Sequence, residues 1–174
     1  MEIKTMSEKP YTAYMDIETT GLSPVRGDIM VIGICLEYDG HDRTVIQLLE
    51  DDISYAKMLK IIENVNILYT YNGTKFDLPY IRTRLGIDLT EYCCHIDLMY
   101  ECWRRNLYGG LKGVEKQLNI KRNLTEIDGR MAVKLWYDYK FYGDKQSLDT
   151  LLEYNKEDVL NLRLIREKLC VNRR

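Results

Sequence analysis

Residues 12–18, with the sequence TAYMDIE, form a β-prone run near the start of the chain. Successive side chains of a strand point to opposite faces of a sheet, so Tyr14, Asp16 and Glu18 share one face. The other face carries three apolar side chains, those of Ala13, Met15 and Ile17. Two carboxylates about 7 Å apart on one face repel each other unless a cation lies between them. The pattern therefore predicts a central strand with a cation site, or a strand whose acidic face is merely solvated.

A long helix is predicted over residues 144–169, with an aspartate as its N-cap. Asp158 falls in the middle of the apolar stripe of this helix, and Tyr154 lies one turn before it. Because burial of an uncompensated carboxylate costs several kcal/mol, Asp158 requires an arginine, a network of donors or a metal ion as its partner. Glu153 and Glu157 point elsewhere on the helix and are expected on its solvated face.

The middle of the chain supplies a further acidic position. The apolar run 67–71 predicts a strand that ends in a turn at Asn72 and Gly73, and Asp77 opens a helix that extends to Leu85. An aspartate at this location is either the N-cap of the helix or a carboxylate directed at the same site.

The spacings D-x-E and Y-x3-D are weak evidence in a chain with 27 acidic residues and 14 tyrosines. Tyr38 and Asp42 also fit the second spacing, within a predicted turn. The stronger evidence is that each acidic motif lies on a predicted strand or helix, and that these elements follow one another in a consistent order along the chain.

The coarse pattern predicts an α/β fold with a five-stranded mixed sheet, in which three antiparallel strands are followed by βαβα, flanked by helices. Strands are expected at 12–18, 28–37, 43–49, 66–71 and 93–97. Helices are expected at 53–64, 78–85 and 144–169, with turns at 22–24 and 38–42. The rest is expected to be helical, apart from a loop-rich patch around 105–128. No repeat or linker interrupts the sequence, so one domain is predicted over 1–174, with a core of about 11–168.

Length and amino-acid composition indicate which classes of protein the chain can belong to. With 174 residues, 45% of them hydrophobic, the chain can bury a full core. Residues 1–10 lack the apolar region of a signal peptide, and no run is long enough to span a membrane. Five irregularly spaced cysteines suit a reducing compartment, so a cytoplasmic location is expected. Zinc binding by Cys93, Cys94, His95 and Cys102 is disfavoured, because a strand would place the two adjacent cysteines on opposite faces.

The net charge of −2 argues against a protein that grips duplex DNA only through its phosphates. The charge is uneven, with nine basic and sixteen acidic groups in residues 1–100, and sixteen basic and eleven acidic groups in 101–174. Aromatic residues are interleaved with the basic ones, at Trp103, Tyr108, Trp136, Tyr137 and Tyr139. This combination suits single-stranded nucleic acid, whose bases stack on aromatic rings, or ordinary amphipathic helices with a solvated face.

Three motifs occur in order along the chain: Asp16-x-Glu18, Asn72-x3-Phe76-Asp77 and Tyr154-x3-Asp158. Together they resemble the DEDD superfamily of 3′–5′ exonucleases on the ribonuclease H-like fold, and specifically the DEDDy subgroup. A closer likeness is to YprB-like exonuclease domains related to the proofreading domain of family B DNA polymerases. The segments that carry it are HIDL at 95–98, YGGLK at 108–112 and EYNKEDV at 153–159.

This resemblance implies two-metal-ion hydrolysis of single-stranded DNA or RNA from its 3′ end, with release of nucleoside 5′-monophosphates. The implied metal ligands are Asp16, as the bridging residue, and Glu18, Asp77 and Asp158. Their all-oxygen donors favour two Mg²⁺ or Mn²⁺ ions over zinc. Tyr154 would orient the attacking water, since its ordinary pKa of about 10 makes it a weak base.

Further residues are expected around these five. The candidate contacts to the terminal nucleotide are Thr19, Thr20, Leu22, Asn72 and Phe76. Lys112, Arg104 and Arg105 are candidates for substrate binding through phosphate, and Asp97 is expected to support the metal ligands or to be structural. Two other functions stay open, an endonuclease of the same fold that cuts internally or at branched structures, and a nucleic-acid-binding accessory module without catalysis.

Overall fold

The computed structural model describes residues 10–38, 40 and 42–170. Its five strands are β1 (Tyr11–Thr19), β2 (Ile29–Tyr38), β3 (Asp42–Leu49), β4 (Val65–Thr70) and β5 (Cys94–Asp97). They form one sheet in the order β3-β2-β1-β4-β5. β2 is antiparallel to β1 and β3, whereas β4 is parallel to β1 and β5. The predicted mixed sheet is therefore confirmed, with no strand end displaced by more than one residue.

Six α-helices surround this sheet in the described part of the chain. They are α1 (Tyr55–Ile62), α2 (Asp77–Leu85), α3 (Leu98–Trp103), α4 (Leu111–Gln117), α5 (Gly129–Tyr142) and α6 (Lys145–Lys168). The predicted N-cap of α6 is confirmed, because the Asp144 carboxylate accepts from the backbone N–H groups of Gln146 and Ser147. The predicted loop-rich patch at 105–128 contains one helix, α4, which buries Val114 against α6.

The alternation along β1 divides its side chains between two cores. The apolar face packs against α1 and α2, whereas Tyr14, on the acidic face, packs in a cluster with residues of α3, α4 and α6. The centre of α6 therefore lies across the sheet face that carries Asp16 and Glu18. This arrangement brings residues near both ends of the chain together.

Several other predictions concern segments away from the sheet centre. All five cysteines are free thiols, with Cys93 buried and Cys94 exposed. Within the described residues, no helix combines the length and apolar character needed to cross a membrane. The predictions made for residues 1–9, and for residues 39 and 41 of the turn at 38–42, lie outside the described residues.

Candidate active site

Three carboxylates meet where β1 faces α6. Asp16, Glu18 and Asp158 each offer an oxygen, and these oxygens lie within 4.8 Å of one another. In the described part of the chain, this trio is the one group of three or more His, Cys, Asp or Glu side chains close enough to share an ion. Glu18 and Asp158 are buried and Asp16 is partly buried. The alternative of a merely solvated acidic strand is therefore wrong.

Asp77 approaches the trio from the first turn of α2. Its Oδ1 accepts a hydrogen bond from the backbone N–H of Ile17, at 3.2 Å, and its side chain is buried. Phe76 occupies the N-cap position of α2, so the interpretation of Asp77 as the N-cap is wrong. Asp77 lies outside the 4.8 Å group but lines the same cavity as its three members.

The four carboxyls hold their protons more tightly than free carboxylic acids do. Burial raises the pKa of Asp16 and Glu18 well above the usual range, and the charge of Asp158 raises both further. Burial raises the pKa of Asp77 to about 7 and that of Asp158 to about 6. Desolvation and mutual repulsion thus disfavour the ionised forms, and a bound cation would offset both. The all-oxygen donor set fits a hard divalent cation.

Arg122, in the loop between α4 and α5, is the buried partner of Asp158 that the sequence did not identify. Its Nη2 donates to Asp158 Oδ1, and its Nε and Nη2 donate to the two carboxylate oxygens of Glu115, at 2.7 and 2.6 Å. Asn161 donates a further hydrogen bond to Glu115, at 3.0 Å. The alternative of an arginine partner for Asp158 is thus correct, and it coexists with the carboxylate trio. Arg122 stands in a segment without periodicity, so the only signal was that Asp158 needed a counter-charge.

Glu157 of α6 accepts two hydrogen bonds from the backbone of the same loop. Its two carboxylate oxygens accept from the backbone N–H groups of Asn123, at 2.6 Å, and Leu124, at 3.0 Å. The expectation of a solvated Glu157 is therefore wrong, because these donors come from a distant segment. Glu153 is exposed and pairs with Lys156, as expected for the solvated face.

Asn155 links Asp16 to the sheet edge. Its Nδ2 lies 3.3 Å from the backbone oxygen of Asp16 and 3.4 Å from Asp16 Oδ2, and donates to both. Its Oδ1 accepts from Gln47 Nε2 of β3, at 3.1 Å, which fixes the orientation of the amide. Gly33 of β2, opposite Asp16 in the sheet, leaves the space for this amide, since a Cβ there would lie 2.1 Å from Asn155 Oδ1.

Asp97 stabilises the turn that contains Asn72. Its carboxylate accepts from the backbone N–H groups of Asn72, at 2.8 Å, and Thr74, at 3.0 Å. It also caps α3 through the N–H of Met99. Asp97 is therefore structural, which was one of its two expected roles.

Two adjoining cavities open beside the carboxylates. One of about 370 Å³ is lined by the four carboxylates together with Tyr154, Asn72, Phe76 and Lys112. The other, of about 650 Å³, shares Glu18 and Phe76 with the first and is also lined by Thr19, Thr20 and Leu22. The structure thus places all six expected substrate contacts beside the carboxylates. Arg104 and Arg105 line neither cavity and instead pair with Glu101.

Lys112 and Tyr154 form one wall of the smaller cavity. Lys112 Nζ lies 5.0 Å from the centroid of the Tyr154 ring and donates to the backbone oxygen of Ile127. Burial raises the pKa of Tyr154, and the charge of Asp158 raises it further. The hydroxyl of Tyr154 therefore stays protonated at neutral pH.

Comparisons with known proteins identify a family and a relative for this chain. A protein-family model described as the RNase H superfamily matches residues 13–170. Protein YprB of Bacillus subtilis is 29% identical over 178 residues, and the match covers 91% of this chain and 42% of YprB. The chain therefore spans less than half the length of this relative.

Solved structures with a similar fold include two proteins. The family B DNA polymerase of the hyperthermophilic archaeon Pyrobaculum calidifontis matches with a TM-score of 0.71 and 17% identity, over 92% of this chain and 24% of the polymerase chain. Brucella melitensis NrnC bound to pGG matches with a TM-score of 0.64 and 18% identity, over 97% of this chain and 76% of the NrnC chain.

Proposed function

Since this chain belongs to the RNase H superfamily and has a ribonuclease H-like fold, we propose that it is a metal-dependent 3′–5′ exonuclease of the DEDDy subgroup. The observation that carries the proposal is the convergence of Asp16, Glu18 and Asp158 from opposite ends of the chain to within 4.8 Å. The proposed substrate is single-stranded DNA or RNA, and the proposed products are nucleoside 5′-monophosphates. The five free thiols support a cytoplasmic location.

The acidic side chains would hold two Mg²⁺ or Mn²⁺ ions. Asp16 would bridge the ions, Glu18 and Asp158 would complete the site for the attacking water, and Asp77 would support the second ion. Such ions lower the pKa of a bound water and neutralise charge on the attacking and leaving oxygens. Asn155 and Arg122 restrict the carboxylates of Asp16 and Asp158, so these ligands lose little conformational freedom when they bind.

Tyr154 would position the attacking water rather than remove its proton. Its raised pKa makes the hydroxyl a hydrogen-bond donor and acceptor at neutral pH and a very weak acid. Lys112, which lies over the Tyr154 ring, would place a positive charge near the reacting phosphate. Phe76 and Leu22 offer apolar surface for the terminal base, and Thr19, Thr20 and Asn72 offer polar contacts for the terminal nucleotide.

The proposal is tested with 5′-labelled single-stranded DNA and RNA, incubated with Mg²⁺, Mn²⁺ or EDTA. Wild type should give a ladder of shortening products that depends on the metal, and Asp158→Ala should abolish it. Glu153→Ala is the matched control, because Glu153 lies on the same helix but is exposed. An unchanged ladder from Asp158→Ala would refute the assigned role of Asp158.

The same assay separates the other two functions. A 3′-phosphorylated strand should resist an exonuclease but not an endonuclease, so internal cutting of this strand would replace the present proposal. A folded wild-type protein that binds the strand but yields no product with Mn²⁺ would indicate an accessory module.

A further inference from the structure

A group of exposed side chains lies beside the smaller cavity, and we call it the aromatic rim: Lys75, Trp103 and Tyr108. Trp103 ends α3 with 39% of its surface exposed, and Tyr108, in the loop between α3 and α4, is 60% exposed. Large aromatic rings on a protein surface carry apolar area that a ligand can cover. None of these three residues lines either of the two cavities, so the proposed chemistry does not explain their exposure.

The rim lies next to the cavity along the chain. Lys75 Nζ lies 5.9 Å from the centroid of the Trp103 ring. Lys75 belongs to the turn between Asn72 and Phe76, both of which line the cavity. At the other end of the rim, the Tyr71 hydroxyl donates to the backbone oxygen of Gly109, at 2.7 Å. Lys75 directly precedes Phe76, and Tyr108 stands two residues before Gly110, which also lines the cavity, so both ends of the rim adjoin the cavity wall.

The backbone of the rim is held in place by hydrogen bonds. The N–H of Leu107 donates to the carbonyl of Cys102, at 3.0 Å, and Gln117 Nε2 donates to the carbonyl of Tyr108, at 2.8 Å. Rings presented on a fixed backbone lose little freedom when a ligand stacks on them. Such rings suit a ligand with flat faces.

The charge around the rim is positive. Lys75 contributes one positive charge, and Arg104 and Arg105 together pair with a single acidic residue, Glu101. An anionic ligand with flat aromatic faces matches both properties. Duplex nucleic acid does not, because its bases are stacked inside the helix and cannot reach a protein ring.

We propose that the aromatic rim binds the nucleotides of a single strand that lie on the 5′ side of its last two nucleotides. Their bases stack on Trp103 and Tyr108, and a phosphate contacts Lys75. This inference rests on the proposed function, because the terminal nucleotide must occupy the cavity for the strand to leave across the rim. The rim thereby makes the protein favour strands longer than a dinucleotide.

Binding can be measured without catalysis. The chain has two tryptophans, so Trp136→Phe leaves Trp103 as the only indole. In EDTA, the fluorescence of this variant should be quenched saturably by an oligothymidylate of eight nucleotides, but not by thymidine 5′-monophosphate. Tyr108→Ala in the same background should weaken the oligonucleotide titration about tenfold. Absence of quenching would overturn the proposal.

Kinetics provide a second readout. Trp103→Ala and Tyr108→Ala should each raise KM for an eight-nucleotide strand about tenfold and leave KM and kcat for a dinucleotide unchanged. Phe141→Ala is the matched control, since Phe141 is an exposed aromatic residue at the far end of α5, about 18 Å along the helix from Gly129, which lines the smaller cavity. Equal effects on both substrates would overturn the proposal, as would a dimer in sedimentation that the rim variants abolish.

The experiments distinguish a failure of the exonuclease proposal from a failure of the rim proposal. If wild type quenches with the long strand but hydrolyses neither substrate, the proposed exonuclease activity fails and the rim remains a binding surface. If wild type hydrolyses both substrates and the rim variants behave as wild type, the rim proposal alone fails.

Discussion

Arg122 is a buried cation that donates hydrogen bonds to two carboxylates, and its removal leaves both without this hydrogen-bonded counter-charge. Its side chain is 5% exposed and binds Glu115 and Asp158. Arg122→Met should therefore destabilise the protein by about 3–5 kcal/mol, measured by urea denaturation in EDTA. Arg104→Met should cost less than about 1 kcal/mol, because the Arg104 side chain is 70% exposed. A loss for Arg122→Met no larger than that for Arg104→Met would contradict this role.

Asp77 should make the stability of the metal-free protein depend on pH. Burial raises its pKa to about 7 in the folded state, whereas an unfolded aspartate has a pKa of about 3.9. The folded state therefore binds more protons between about pH 4 and pH 7, and the free energy of unfolding falls as pH rises through this window. The cost is fully present above pH 7 and disappears below pH 4.

The measurement compares wild type with Asp77→Asn in EDTA, by urea denaturation from pH 5 to pH 8. Wild type should lose stability relative to the variant as pH rises. Burial lowers the pKa of His95, which acts in the opposite direction, but this effect is common to both proteins and cancels in the difference. A difference that is constant across the range would show that the pKa of Asp77 is not raised.

At the scale of the elements, the contact between β2 and α6 controls the position of Asp16. Gly33→Ala would place a Cβ 2.1 Å from Asn155 Oδ1, so the Asn155 amide must move away from Asp16. We expect a loss of about 1–3 kcal/mol in stability and a fall in hydrolytic activity. Gly113→Ala is the control for stability, since nothing lies within 4 Å of a Cβ at that helical position. Wild-type activity in Gly33→Ala would show that Asn155 does not position Asp16.

The elements that the sequence predicts well are those with a clear period. The alternation of 12–18 correctly places Ala13, Met15 and Ile17 on one face of β1 and Tyr14 on the other, because both faces of this strand are covered and a shift by one residue would exchange them. The position of Asp158 in the apolar stripe of α6 likewise predicts its burial. In both cases, local spacing alone determines the direction of the side chain.

The sequence-based predictions that are wrong concern contacts between segments that are distant in sequence. Glu157 is on the expected side of α6, but the loop at 121–128 covers it and donates two backbone hydrogen bonds. Asp77 is at the expected helix start, but its carboxylate turns to the backbone of β1. The pair of Arg122 and Glu115 was missed for the same reason, because no local pattern indicates which loop passes over a helix.

At the scale of the whole molecule, a cation in the trio would connect β1 to α6 and so link residues from opposite ends of the chain. A ligand that binds only the folded state raises the free energy of unfolding, by about 2.7 kcal/mol at a concentration one hundred times its Kd. For a chain of this length, Mn²⁺ should therefore raise Tm by about 5–10 °C relative to EDTA.

This rise in Tm should vary with pH and with the carboxylates themselves. It should be larger at pH 8 than at pH 6, because the raised pKa values of Asp77 and Asp158 leave these carboxyls partly protonated at the lower pH, and protons compete with the metal. Asp158→Asn should reduce the rise, since the trio loses one ionised ligand, and Glu153→Gln should not change it. Differential scanning calorimetry with and without Mn²⁺ measures both effects. Identical Tm values in Mn²⁺ and EDTA would mean that the crowded carboxylates are stabilised by protein groups such as Arg122 without a metal ion, and the metal-dependent mechanism would have to be abandoned.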